Sequence, residues 1–172
     1  ILYSESAGNR YGILYNEPGG NNNLKNLTLY DNQYDFLVHS TGGAFSFEAE
    51  NATFTNPTGS LQNYTVLDID DSISSSETYY MNWTATSSSL PSGRLSFRDK
   101  FVDISNNTAS VSIDEITWKW LDSELTGNYV DSKFELWKYN TSWTMLNDTP
   151  DTTANTLTQY DMNPASDYGI LQ

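Results

Sequence analysis

The sequence contains no cysteine, a single histidine (His39), and only eight lysines and arginines against 22 aspartates and glutamates. Because cysteine is absent, disulfides and thiolate metal or redox sites are excluded. One histidine cannot form a histidine-based metal cluster. With a net charge of −14, the chain has too few basic residues to neutralise the phosphates of a nucleic acid. The sequence therefore indicates that nucleic acid is not a partner.

Long hydrophobic runs and helix-forming residues are also scarce. No stretch approaches the ~20 apolar residues that a membrane-spanning helix needs. Thr, Ser, Asn, Tyr and Asp are abundant instead, which favours strands and turns. Aromatic residues make up 14% of this hydrophilic chain. We therefore expect an all-β protein whose core consists of Trp, Tyr and Phe alternating with polar residues.

A short repeat stands near the start of the chain. Residues 9–14 (NRYGIL) return 23 positions later as residues 32–37 (NQYDFL). This period is too short for a domain and is typical of one coil of a parallel β-helix. We predict β-helix-like coils over residues 1–55, with a boundary at the turn-forming residues 56–59.

Beyond the boundary, the spacing of strands predicts an antiparallel β-sandwich over residues 56–172. In residues 116–120 the alternation places Ile116, Trp118 and Trp120 on one face, which favours the core. Residues 133–139 lead through a tight turn at 140–141 into residues 142–146, the pattern of a β-hairpin. The predicted fold is thus a short β-helix-like part packed on or leading into the sandwich.

Carboxylates are numerous, but their patterns are weak signals for chemistry. Asp68, Asp70 and Asp71 are candidates for a structural calcium site, since Ca²⁺ takes six to eight oxygen ligands. Their spacing matches no known calcium loop, and a solvated acidic turn is the commoner interpretation. Asp122 and Glu124 form a second acidic loop. No other cofactor is indicated.

Catalytic patterns are missing. A Ser-His-Asp triad needs His39 as its base, and no serine has the context of a nucleophile elbow. Paired carboxylates for glycoside hydrolysis remain open among Glu48, Glu50, Asp114 and Glu115. However, β-helix enzymes that cut polysaccharides use a groove over many coils, for which the chain is too short. We predict that the protein is not an enzyme.

Seven Asn-x-Ser/Thr sequons occur, whereas about four are expected from the composition. Several lie near the ends of predicted strands, where a glycan can stay in solvent. This favours a secreted glycoprotein. The candidate glycosylation sites are Asn26, Asn51, Asn63, Asn82, Asn106, Asn140 and Asn147.

Aromatic residues allow two interpretations. Carbohydrate-binding modules stack sugars on flat Trp and Tyr rings, and the chain has enough such rings. The alternative is that they form the core, because large aromatics dominate burial energies. The rings considered are Trp83, Trp118, Trp120, Trp137, Trp143, Tyr79 and Tyr80.

The chain resembles archaeal cell-surface proteins in which right-handed parallel β-helix repeats of the Asn-x-Tyr-Gly-Ile type precede a β-sandwich module. The resemblance to the module lies in residues 101–108, 116–120, 122–125, 133–143, 154–156 and 168–171. It implies a component of a surface layer, sheath or adhesive structure. It also implies an extracellular location at the cell surface.

These observations lead to a functional prediction: a structural, N-glycosylated subunit of an archaeal filament, sheath or S-layer-like assembly. A β-helix of few coils ends in unpaired backbone groups, which a second copy can cover. Residues 168–171 resemble residues 11–14, so strand addition between copies is expected, giving fibres. Additional coils of a longer protein are the other possible cover, and the alternative function is a carbohydrate-binding or adhesion module with exposed aromatics. The predicted self-association residues are Ile1, Leu2, Tyr3, Tyr168, Ile170 and Leu171.

Overall fold

A computed structural model describes residues 4–7, 10–16, 20–25, 27–30, 32–40, 43–50, 52–55, 61–64, 67–73, 77–84, 89–106, 113–163 and 166–172. Most of these residues lie in β-strands, so the all-β prediction is confirmed. The helical elements in these ranges are two 3-10 turns, Asp122–Glu124 and Asp131–Lys133. None of the helices in the described ranges has the length and hydrophobicity to span a membrane.

Sixteen strands are found in the described ranges. They are β1 (Ser4–Ala7), β2 (Tyr11–Asn16), β3 (Gly20–Lys25), β4 (Leu27–Tyr30), β5 (Tyr34–Ser40), β6 (Gly43–Glu50), β7 (Ala52–Thr55), β8 (Leu61–Tyr64), β9 (Leu67–Ile73), β10 (Glu77–Thr84), β11 (Ser96–Asn106), β12 (Ile113–Lys119), β13 (Glu135–Asn140), β14 (Ser142–Asn147), β15 (Thr156–Met162) and β16 (Ser166–Leu171).

The strands form three sheets. The seven-stranded sheet has the order β14-β13-β16-β11-β10-β5-β2, and the five-stranded sheet has the order β15-β12-β9-β6-β3. A four-stranded sheet has the order β1-β4-β7-β8. Parallel pairing occurs between β1 and β4, β4 and β7, β2 and β5, and β3 and β6, and the other pairs are antiparallel.

The 23-residue repeat of the sequence corresponds to pairing between parallel strands in the structure. Tyr11 lies opposite Tyr34 in the parallel pair β2–β5, which is the 23-residue offset of the repeat. In the pair β1–β4, Ser4 lies opposite Leu27, again 23 residues apart. Equivalent residues of the repeat are therefore neighbours on adjacent strands.

The chain reverses its direction after β7. Strand β8 pairs antiparallel with β7, β9 with β6, and β10 with β5. Strands from both sides of the predicted boundary thus lie in the same three sheets. Residues 56–60, which include that boundary, lie outside the described ranges, and the division into residues 1–55 and 56–172 remains a prediction.

Aliphatic and aromatic side chains together fill the space between the seven-stranded and five-stranded sheets, so among the described residues the predicted core of Trp, Tyr and Phe is present only in part. Trp118 and Trp120 are 3% and 2% exposed, so their predicted place in the core is confirmed. Trp118 lies 6.0 Å from Tyr168 of β16, and Trp120 meets Phe134 edge-to-face at 5.1 Å. Each such side chain contributes about 1.5–3 kcal/mol on burial, so these rings hold the two sheets together.

Gly169 in β16 allows a close contact on the other face of the seven-stranded sheet. Phe101 of β11 lies opposite Gly169, and a methyl group built on Gly169 would lie 2.4 Å from the Phe101 Cδ1. The absence of a side chain lets the Phe101 ring cover the β16 backbone.

Replacement of Gly169 by alanine is therefore expected to destabilise the fold by about 1–3 kcal/mol, the usual cost of overpacking. Thermal or urea unfolding measures this change. Truncation of Phe101 in the same variant (Phe101→Ala, Gly169→Ala) should remove the added cost of the methyl group. Equal costs of Gly169→Ala with and without Phe101 would contradict the explanation.

Candidate functional site

The β13–β14 hairpin carries aromatic side chains on the face turned away from the core. Tyr139 of β13 lies directly opposite Trp143 of β14, while Leu136 on the alternate face is buried. The rings of Tyr139 and Trp143 are 5.4 Å apart and inclined at 57°. They form two walls of a surface pocket of about 660 Å³. The pocket is lined by Ser89, Pro91, Tyr139, Thr141, Ser142 and Trp143.

The connection between β10 and β11 closes the other side of this pocket. The Trp143 Nε1 donates a hydrogen bond of 2.9 Å to the Ser89 carbonyl oxygen. Further along, the Arg94 guanidinium lies 5.5 Å from the Trp137 ring centroid and forms a 2.9 Å ion pair with Glu135. These contacts hold residues 89–94 against the hairpin.

Two carboxylates continue the row of Trp143 and Tyr139 across the sheet. Asp167 of β16 lies opposite Tyr139, and Asp103 of β11 lies opposite Asp167. Burial raises the pKa of Asp103, and burial together with the charge of Asp103 raises the pKa of Asp167. Like charges placed directly opposite each other destabilise a sheet. When both carboxylates are charged, their repulsion therefore lowers the stability of the folded protein.

The aromatic rings considered for carbohydrate binding lie in different environments in the structure. Trp118 and Trp120 are in the core and cannot reach a ligand. Trp137 is partly buried beside Arg94, and Trp143 lines the pocket at the hairpin. The side chains of Trp83 and Tyr79 lie outside the described residues, and Tyr80 packs against Tyr34 with centroids 4.6 Å apart.

Tyr139 was not among the rings that the sequence indicated. Its position next to the predicted turn, with Trp143 on the returning strand, is the signal that would have found it, since residues facing each other across a hairpin share one side of the sheet.

Among the sequons, Asn140 is exposed at the β13–β14 turn. Asn82 accepts a hydrogen bond from the Asp35 backbone N–H and donates one to the Gln33 carbonyl oxygen, both at 3.0 Å. Asn147 donates to the Thr158 carbonyl oxygen at 2.7 Å, which joins β14 to β15. Asn140 is thus the described asparagine best placed for a glycan. The side chains of Asn26, Asn51, Asn63 and Asn106 lie outside the described residues.

The predicted self-association residues at the C-terminal end are internal. Tyr168, Ile170 and Leu171 are at most 4% exposed, and their strand β16 pairs with β11 on one side and β13 on the other. Strand addition through these residues would require β16 to leave both neighbours. Ile1, Leu2 and Tyr3 lie outside the described residues.

The predicted calcium ligands Asp68, Asp70 and Asp71 lie in β9, between β6 and β12, rather than in a turn. Their side chains are outside the described part, as are those of Glu48 and Glu50. In the acidic loop, Asp122 accepts a hydrogen bond from the Asn155 amide at 2.8 Å. Among the described residues, no three His, Asp or Glu side chains are grouped as metal ligands.

Asp114 and Glu115, the other two carboxylates considered for glycoside hydrolysis, lie on β12. Asp114 is exposed, and the Glu115 carboxylate accepts a long hydrogen bond of 3.4 Å from the Thr117 hydroxyl. Glu115 lies opposite Tyr160 in the neighbouring strand β15. Neither residue lines the pocket at the hairpin.

A buried ionic cluster anchors the connection between β12 and β13. Lys100 forms an ion pair with Glu124, and their side chains are 8% and 15% exposed. Burial lowers the pKa of Lys100, against the opposing effect of the Glu124 carboxylate. Arg98, which has a positive φ of 58°, donates two hydrogen bonds to the Glu124 carbonyl oxygen. This cluster has a structural role, because every charged group in it is used by a protein contact.

Comparison of the chain with models of known families, with curated protein sequences and with solved structures finds no significant match.

Removing one member of the acidic pair should stabilise the protein. Both carboxyls have a raised pKa in the folded state, so the stability that they contribute is complete below the unfolded pKa of about 4 and is lost as the pH rises through the folded pKa. Asp103→Asn should therefore raise stability at pH 7 by up to about 1 kcal/mol. Thermal unfolding at pH 3 and pH 7 should show a gain only at pH 7.

Asp148→Asn, at an exposed position, is the matched control for net charge. If it raised the melting temperature as much as Asp103→Asn does, the effect would belong to the overall charge and not to the pair.

Removing Glu124 should destabilise the fold, because it leaves the Lys100 ammonium buried without its carboxylate. The expected loss for Glu124→Ala is about 3–5 kcal/mol in urea unfolding. Replacing both partners with apolar residues (Lys100→Met, Glu124→Leu) should restore much of the stability. A single variant as stable as the native chain would show that the ion pair is not needed.

Proposed function

We propose that the protein is a structural module of an extracellular assembly, built as a short parallel β-helix that leads into an antiparallel β-sandwich. One observation carries the proposal: β1, β2 and β3 follow one another along the chain and pair in parallel with β4, β5 and β6, one pair in each sheet. Paired residues are 23 apart in the first two pairs and 25 apart in the third, where Gly20 lies opposite Phe45. This supports one coil stacked on another.

The first coil offers the contact surface. Strands β1, β2 and β3 are the outermost strands of their sheets, so within the described residues each pairs on one side only. Edges of this kind present a row of N–H and C=O groups to another strand. Further coils, from a second copy or from a longer form of the same protein, would continue all three sheets.

A linear assembly follows from end-to-end pairing. The opposite edges of the same sheets are β8, β14 and β15, so each copy has an edge of every sheet at both sides. A contact that joins unlike edges does not close and generates filaments. In this proposal the contact lies at β1–β3 and not at β16, whose two edges are occupied.

The surface features fit an exposed extracellular assembly. A net charge of −14 keeps copies apart except where specific pairing occurs. The Asn140 sequon lies exposed at the β13–β14 turn, from which a glycan can extend into solvent. The archaeal cell surface, and the choice of filament, sheath or surface layer, rest on the resemblance of the sequence.

The proposal is tested by the oligomeric state of the 172-residue chain, produced without glycans. Light scattering and electron microscopy should show concentration-dependent linear polymers. Leu14→Lys, which places a charge at a 56% exposed position on the edge strand β2, should weaken association at least tenfold. Val130→Lys, at a 42% exposed position in the β12–β13 connection, is the matched control and should change little. A folded chain that remains monomeric at every concentration would refute the proposal.

A further inference from the structure

We propose that the pocket between the β13–β14 hairpin and residues 89–91 binds a neutral saccharide, with the rings of Tyr139 and Trp143 against the sugar. This site uses side chains of β13 and β14, whereas the assembly proposed above uses the backbone edges of the sheets. It is a surface pocket of about 660 Å³ that is largely open to solvent, so a ligand there would keep part of its surface exposed. Aromatic walls with hydroxyl groups at the rim match the two surfaces of a sugar ring, which carries apolar C–H faces and polar edges.

The angle between the two rings indicates how the sugar is held. Tyr139 and Trp143 are inclined at 57°, so they form a corner and not a flat platform. A flat platform suits the broad surface of a packed polysaccharide. A corner contacts one sugar unit from two sides, so we assign the site to a single unit or the end of a soluble chain.

The polar groups of the pocket favour an uncharged ligand. Thr141 and Ser142 line it with hydroxyl groups, which both donate and accept hydrogen bonds. Among the described residues, those that line the pocket are all uncharged. Asp167 lies opposite Tyr139 in the row across the sheet, and Asp103 lies opposite Asp167, so these two carboxylates disfavour an anionic sugar.

The pocket is held in place before any ligand arrives. The hydrogen bond from the Trp143 indole to the Ser89 carbonyl fixes both the ring and the opposite wall. Because these groups are already ordered, binding costs little side-chain entropy.

The test uses the unglycosylated chain and a panel of soluble oligosaccharides: chitotriose, cellotriose, maltotriose and mannotriose, with trigalacturonate as the anionic comparison. Binding is measured by calorimetry and by the change in tryptophan fluorescence, with sugar up to about 10 mM, where a Kd near 1 mM is measurable. At least one neutral sugar should bind, and trigalacturonate should bind at least tenfold more weakly.

Two variants locate the site. Tyr139→Ala should weaken binding at least tenfold, and Trp143→Phe, which keeps a ring but removes the indole, should abolish the fluorescence change. Tyr160→Ala removes a 60% exposed ring outside the pocket and should bind like the native chain. Circular dichroism and the melting temperature confirm that each variant is folded.

Three results would overturn the proposal. The first is a folded native chain that binds none of the neutral sugars. The second is binding that Tyr139→Ala leaves unchanged, which would place the sugar elsewhere. The third is tighter binding of trigalacturonate than of every neutral sugar. In the first case Trp143 would serve only to anchor residues 89–91.

Discussion

Every strand inside a sheet must satisfy its backbone groups on both sides, and this requirement organises the whole molecule. The parallel strands β4, β5 and β6 meet it on one side with β1, β2 and β3. On the other side β5 and β6 pair with β10 and β9, which run in the opposite direction because the chain turns back after β7. The antiparallel strands thus continue directly from the edge of the parallel ones. At the remaining edge of that layer, β1, β2 and β3 each pair on one side only within the described residues.

The two faces of the seven-stranded sheet differ in burial and in charge. Tyr168 faces the core and packs against Trp118, whereas its neighbours Asp167 and Gly169 lie on the opposite face. On that face Phe101 covers Gly169, and the row from Asp103 to Trp143 combines carboxylates with rings. Asp103 and Asp167 weaken the fold when both are charged, and the burial of apolar side chains on the core face offsets this cost.

Short-range patterns in the sequence predicted the local structure well. The repeat at residues 9–14 predicted neighbours that the structure pairs in register, and the alternation around Trp118 predicted its burial. Pairings between distant strands were beyond such patterns. The tetrapeptide Tyr-Gly-Ile-Leu occurs at 11–14 and at 168–171, yet Leu14 is 56% exposed on an edge strand and Leu171 is fully buried in an internal one. The strands on either side of the tetrapeptide, and not its own sequence, therefore determine whether its leucine is buried. Two further contacts also depend on pairing between distant parts of the chain. One is the position of Asp103 opposite Asp167, and the other is the buried ion pair of Lys100 with Glu124.

The side chains of the pocket and the backbone groups of the strand edges point in different directions from the same sheet. Edge pairing runs through backbone groups in the plane of the sheet, whereas the rings of Tyr139 and Trp143 stand out of that plane. Stacked copies would therefore leave each pocket open and repeat it along the filament. A site that holds one sugar unit weakly gains from such repetition, because several copies engage one glycan surface together and the effective concentration of the second contact is high. A scaffold with weak, repeated sugar sites adheres strongly while each contact remains reversible.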